Sequence, residues 1–106
     1  MKKKQPKRSR TIRREAERRA DALGRDRERL FAASTGGSAA HPVLVESASV
    51  VEARARAVPC PRCEGEHAVV EHASINGPFG RLREAKLRCR RCASTRSMFF
   101  RLPVLN

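Results

Sequence analysis

The sequence has no tryptophan and no tyrosine, and its aromatic residues are Phe31, Phe79, Phe99 and Phe100. So few large side chains exclude a thick hydrophobic core, because a small domain buries too little apolar surface to offset the entropy of ordering its chain. The same scarcity argues against a protein that grips single strands by stacking bases on aromatic platforms. No apolar run approaches the roughly 18 residues of a transmembrane helix, and no apolar segment follows Met1 to Lys4. Neither a membrane anchor nor a secretory leader is expected. A reducing, cytoplasmic setting follows, nucleoid or ribosome association included, where paired cysteines serve more often as metal ligands than as disulfides. The familiar catalytic patterns are missing as well: there is no glycine-rich phosphate loop, no HExxH and no credible Ser/His/Asp spacing. No enzymatic activity and no small-molecule substrate are expected.

Acidic residues are also in short supply, with 11 Asp and Glu against 24 Lys and Arg. The imbalance sits at the two ends. Residues 1–34 carry 13 basic and 5 acidic side chains, residues 35–57 carry 2 of each, and residues 58–106 carry 9 and 4. A basic arm of this kind attracts polyanions, nucleic acid first among them. Residues 1–10 hold six cations, Lys2, Lys3, Lys4, Lys7, Arg8 and Arg10, with no apolar periodicity, so a disordered tail is predicted there until something anionic meets it.

From Thr11 to about Ser34 the pattern becomes helical. Ile12, Ala16, Ala20, Leu23, Leu30 and Phe31 recur at spacings near three and four and form one narrow stripe, interrupted by Arg27. Gly24 weakens the middle of this helix by about 1 kcal/mol relative to alanine. Its arginines surround the axis rather than forming one reading face, so base-specific readout is not expected. The segment 35–42, rich in Gly, Ser and Ala, predicts a flexible linker, and residues 43–106 a β domain. Val43 to Val45 and Val51 to Val58 read as short extended segments, the second with apolar and charged residues alternating. Further strands are predicted with Val69, Glu71, Ala73 and Ile75 on one side, from about Leu82 to Cys89, and from about Thr95 to Leu102. A six-residue hairpin turn, Asn76 to Arg81, joins the first two of these.

The chemistry lies in two CxxC pairs, Cys60-Pro61-Arg62-Cys63 and Cys89-Arg90-Arg91-Cys92. Tetrahedral Zn²⁺ takes four soft or borderline ligands, and one CxxC turn delivers two thiolates from a tight loop. Two turns make a closed site. The 25 residues between Cys63 and Cys89 exceed the usual spacing of about 15–20, and an antiparallel hairpin accounts for the excess. Iron in the same four-thiolate arrangement and a redox dithiol are the alternatives. The dithiol is disfavoured because strand, not helix, is predicted after each pair. His41, His67 and His72 read as surface or hydrogen-bonded histidines.

The pattern Val58-Pro59-Cys60-Pro61-Arg62-Cys63-Glu64-Gly65, a hairpin, Leu87-Arg88-Cys89-Arg90-Arg91-Cys92 and a closing strand resembles the zinc-ribbon class over residues 58–104. The resemblance implies a small metal-stabilised β fold: a three-stranded antiparallel sheet with one structural zinc on Cys60, Cys63, Cys89 and Cys92, preceded by the basic arm. Ribbon knuckles usually place Gly directly after the second Cys. Here Glu64 and Ala93 stand in those places, with Gly65 one step later. A basic arm ahead of a ribbon also resembles the layout of small ribbon proteins of transcription elongation and the ribosome.

Arg62, Arg88, Arg90 and Arg91 crowd the knuckles, where part of their charge offsets a four-thiolate zinc carrying a net −2. In the closing strand, Met98, Phe100 and Leu102 alternate as core, leaving Phe99 with Ser97 and Arg101 either as an exposed aromatic beside a cation or covered by residues 43–58. The predicted binding residues are thus Lys2, Lys3, Lys4, Lys7, Arg8, Arg10, Arg13, Arg14, Arg90, Arg91, Phe99 and Arg101. Their expected partner is nucleic acid, DNA or RNA, or a complex that processes it. A protein adaptor docking through the ribbon sheet is the alternative.

Overall fold

The computed structural model describes residues 6, 8–78 and 80–103. Lys2, Lys3, Lys4, Lys7 and Phe79 lie outside them. A long helix, α1 (Ser9–Ala33), is followed by a two-residue strand, β1 (Val43–Leu44), and a 3₁₀ turn at Ala48–Val50. That turn runs into a short helix, α2 (Val51–Ala57), and three strands complete the chain: β2 (His67–Gly77), β3 (Gly80–Cys89) and β4 (Thr95–Arg101). Between α1 and β1 the segment 35–42 runs as turns, with Gly36 donating to the His41 carbonyl (2.6 Å) and accepting from the Phe99 amide (2.8 Å).

The sheet corrects the three-stranded expectation. It has four strands in the order β1-β4-β3-β2, antiparallel except that β1 runs parallel to β4, pairing Val43 with Phe100 and Leu44 with Arg101. Residues 45–66, containing α2, form the crossover that carries the chain from β1 at one edge of the sheet to β2 at the other, two strands that run the same way. The predicted six-residue turn is also shorter than expected. Pairing continues to Gly77 opposite Gly80, leaving two residues between the strands. Gly80 holds a φ of 126°, a conformation that a side chain would strain.

Residues 51–58 were expected as a strand and form a helix instead. Their alternation is outweighed by propensity, since Ala and Arg are strong helix formers, and by Val51 and Ala55, one turn apart and both fully buried. Glu52 in the first turn and Arg54 and Arg56 in the last complement the helix dipole. The helix stops at Val58 (φ −86°, ψ 124°) because Pro59 drives the preceding residue into extended backbone.

A bulge in β2 changes a second expectation. The register shifts between Val69 and Glu71, leaving Val70 59% exposed. Val69 pairs with Leu87 and faces the core, but Glu71 pairs with Lys86, so Glu71, Ala73 and Ile75 take the opposite face. The core is small: Val45, Val51, Ala55, Ala85, Leu87, Met98 and Phe100, flanked by Phe31, Val43, Val58, Val69 and Leu102. It lies between α2 and one face of the sheet. Met98 and Phe100 are core residues as predicted, whereas Phe99, on the other face, is half-buried rather than exposed. No residue of α1 is buried, and Ile12, Leu23 and Leu30 of its apolar stripe stand 53%, 50% and 72% exposed. No helix among the described residues is long and apolar enough to cross a membrane.

Candidate metal centre and its outer contacts

The two CxxC turns are built alike. In the first, the Glu64 amide donates to the Cys60 carbonyl (2.8 Å) and the Cys60 amide to the Gly65 carbonyl (2.9 Å). The second repeats both bonds at the same offsets, Ala93 to Cys89 (3.0 Å) and Cys89 to Ser94 (2.9 Å). Closing the chain this tightly requires a left-handed residue after the second cysteine. Glu64 (φ 62°) and Ala93 (φ 63°) supply it, and no other non-glycine described has positive φ. The departure from Gly at these places is therefore a departure in residue type, not in backbone path. Gly65 serves another purpose: a Cβ there would lie 2.7 Å from Arg91 Cβ, 3.0 Å from Cys89 Sγ and 3.2 Å from Cys63 Sγ. The bare backbone lets the second turn close onto the first.

The hairpin carries the second turn back beside the first, and the four sulfurs lie within 4.8 Å of one another. Cys63 and Cys89 are separated by 3.4 Å and Cys60 and Cys92 by 3.7 Å, and none is in a disulfide. Four sulfurs around one ion at about 2.3 Å stand about 3.8 Å apart in a regular tetrahedron. The donor set and its spacing thus fit a tetrahedral metal ion. Amides of Arg91 (3.3 Å) and Cys92 (3.4 Å) donate to Cys89 Sγ, and the Ser94 hydroxyl stands 2.9 Å from Cys92 Sγ and 3.6 Å from Cys60 Sγ.

These donors make the thiols unequal. Burial opposes ionisation of Cys60, but the Ser94 hydroxyl and the amides of Cys63 and Arg62 pull it down to about 5. The Gly65 amide favours the Cys63 thiolate, yet burial and the sulfurs of Cys89, Cys92 and Cys60 push that thiol up to about 12. Four clustered thiols do not all ionise by themselves. A divalent cation removes the mutual repulsion, so binding releases protons.

Around the sulfurs lies a second ring of contacts that includes residues the sequence did not single out. Arg96 donates to Ser94 Oγ (2.7 Å), to His67 Nε2 and to both carboxylate oxygens of Glu28, with Nε at 3.2 and 3.4 Å. Its side chain is 4% exposed. His67, itself buried, has Nδ1 2.7 Å from the Val58 carbonyl, so Nδ1–H donates there and Nε2 accepts from Arg96. Glu28 also binds Arg62 of the first turn (3.2 Å). Although burial opposes its charge, Arg96 and Arg62 hold its carboxyl below the ordinary range. Arg27 donates to the Arg62 carbonyl (3.4 Å), Gly24 leaves room for the Arg62 guanidinium, and Arg96 lies 5.9 Å from the Phe31 ring centroid. Residues 24–31 of α1 are thereby fastened to the two CxxC turns by one carboxylate. The signal for Arg96 was present in the alternation of β4, which puts it on the face of Met98 and Phe100.

Those predicted binding residues that are described are not gathered into one patch. Arg8 precedes α1, and Arg10, Arg13 and Arg14 are exposed along its first turns, with Arg13 about 20 Å along the axis from Glu28. Arg90 and Arg91 are exposed at the second turn, where Arg91 donates to the Cys63 carbonyl (3.4 Å). Arg101 ends β4, about 20 Å from its knuckle end. Comparison with protein-family models, curated proteins and solved structures finds no match to this chain.

Proposed function

We propose that this is a non-catalytic zinc-ribbon protein in which one structural Zn²⁺ holds the β domain together and the basic helix binds the phosphates of nucleic acid. The observation that carries the reading is the four-sulfur cluster beside a projecting, arginine-rich helix. Four thiolates fill a tetrahedral shell and leave no position for a reactive water, which favours a structural metal. Zinc suits such a site in a reducing compartment, with iron as the alternative ion. Arg62, Arg91 and Arg96 surround the sulfurs and would offset the net negative charge of the loaded site. Ribbon contacts thus absorb part of the basicity. Arg8, Arg10, Arg13 and Arg14 are exposed at the other end of α1, and they are the residues assigned to phosphate. A role in transcription or translation is the accessory function this layout suits.

A specific observation keeps the adaptor reading alongside. One edge of the sheet is β2, eleven residues long, with Val70 exposed on its bulge, and an edge strand can accept a partner's strand. Metal analysis and salt-dependent binding separate the two readings. The zinc-loaded chain is titrated with duplex DNA and an RNA hairpin, and log K is followed against log salt. The nucleic-acid reading expects a slope of about −0.9 per phosphate contacted on a duplex, reduced in R10Q/R13Q/R14Q. Absence of binding to either probe, together with salt-insensitive capture by a protein, would leave the adaptor.

A further inference from the structure

Gly24 and Arg27 break the apolar pattern of α1, and both fall on the side of the helix that meets the two CxxC turns. They stand with Glu28 and Phe31 at spacings of three and four, so all four share one face of the last turns of α1. A Cβ at Gly24 would lie 3.0 Å from Arg62 Nη1, so the glycine that weakens the helix gives the Arg62 guanidinium its place. Arg27 donates to the Arg62 carbonyl (3.4 Å), and Phe31 has Arg96 5.9 Å from its ring centroid. Glu28 is the centre of this face. Its carboxylate accepts from Arg62 of the first turn (3.2 Å) and from Arg96, just past the second (3.2 and 3.4 Å). Arg96 also donates to Ser94 Oγ (2.7 Å), which occupies an oxygen lone pair and leaves the hydroxyl hydrogen for Cys92 Sγ, 2.9 Å away. Three side chains thus connect α1 to a sulfur of the cluster.

We propose that Glu28 couples metal binding to docking of the basic helix: closing the two turns around a metal ion creates the seat for Glu28, and seating Glu28 tightens the hold on the ion. The physical reason is the pair of arginines. With the turns apart, Glu28 meets at most one of them in water, and such a surface pair contributes little. With the turns closed, two like charges converge on one carboxylate, and the Arg96 side chain is only 4% exposed. Without Glu28, a buried guanidinium would face a second cation and lose its counter-charge. Linkage makes the two effects equal in size. Because α1 is one continuous helix, seating residues 24–31 also fixes the direction in which Arg10, Arg13 and Arg14 project. The coupling rests on the metal reading above and not on the nucleic-acid reading.

The test uses the full chain and Zn²⁺. Competition against a chromophoric chelator gives the metal affinity of the native chain, of E28Q and of E17Q, a control of equal charge at an exposed position earlier in α1. E17Q is expected to match the native chain. E28Q is expected to take up a full equivalent of metal at saturation but to hold it about fivefold more weakly. Backbone amide relaxation of the loaded chains then reads the helix. Residues 24–31 are expected to tumble with the sheet in the native chain and in E17Q, and apart from it in E28Q. Equal affinity in E28Q and the native chain, or an equal loss in E17Q, would overturn the coupling, and so would residues 24–31 tumbling with the sheet in loaded E28Q. Those results leave the metal reading standing, whereas a native chain that takes up no Zn²⁺ would overturn both.

Discussion

Replacing Glu64 and Ala93 by glycine should tighten metal binding. Both residues sit in the left-handed region, with φ of 62° and 63°, and both are exposed. A Cβ in that conformation costs about 1–2 kcal/mol, while glycine loses about 0.4–1 kcal/mol through the greater freedom of its unfolded chain. The net gain is about 0.5–1 kcal/mol per turn, or about 1–2 kcal/mol for both. Because a thiolate site of this kind assembles only as the chain folds, the gain appears in apparent metal affinity, as a factor of about 5–30. Competition against a chromophoric chelator measures it, with thermal unfolding of the loaded chain as a second readout. Ala93→Gly is the cleaner half, since it removes one exposed methyl group. Ala53→Gly, on the exposed side of α2, controls for composition and should lose about 1 kcal/mol. If Ala93→Gly left affinity unchanged or weakened it as Ala53→Gly weakens stability, the matched backbone of the two turns would not be the source of strain inferred here.

Chelation should unfold residues 58–103, because a structural metal contributes on the order of 10 kcal/mol and the core beneath it has seven buried residues, two of them alanines; unchanged circular dichroism and protease resistance would count against this. Gly65→Ala should lower metal affinity at least about tenfold, since its Cβ would stand 2.7 Å from Arg91 Cβ and 3.0 Å from a ligand sulfur; a chelator competition identical to the native chain's would refute the packing argument. Glu28→Gln should release the end of α1 from the knuckles without loss of metal. Removing one partner of its half-buried ion pairs costs about 1–3 kcal/mol, read as faster amide exchange over residues 24–31. Retained protection there would show that Phe31 and the turns after it suffice.

The residues with strong local signatures were legible from order and spacing alone. Each CxxC is a short-range pattern whose backbone closes on itself, and the Asn76–Arg81 stretch announces a reversal, so the four clustered cysteines and the hairpin carrying them followed from neighbours in sequence. The alternation of Met98 and Phe100 likewise names the core face, because adjacent strand residues must point apart. Tertiary structure decided what local pattern leaves ambiguous. Residues 51–57 alternate like a strand and have the propensity of a helix, and burial of Val51 and Ala55 in the core against the sheet selects the helix. The bulge at Val70 reverses the faces of β2, a shift visible only once Leu87 and Lys86 supply the register. The bond from Arg96 to Glu28 spans 68 positions; both are charged residues among many, and only the folded sheet brings one helix carboxylate against the arginine that also holds Ser94 and His67.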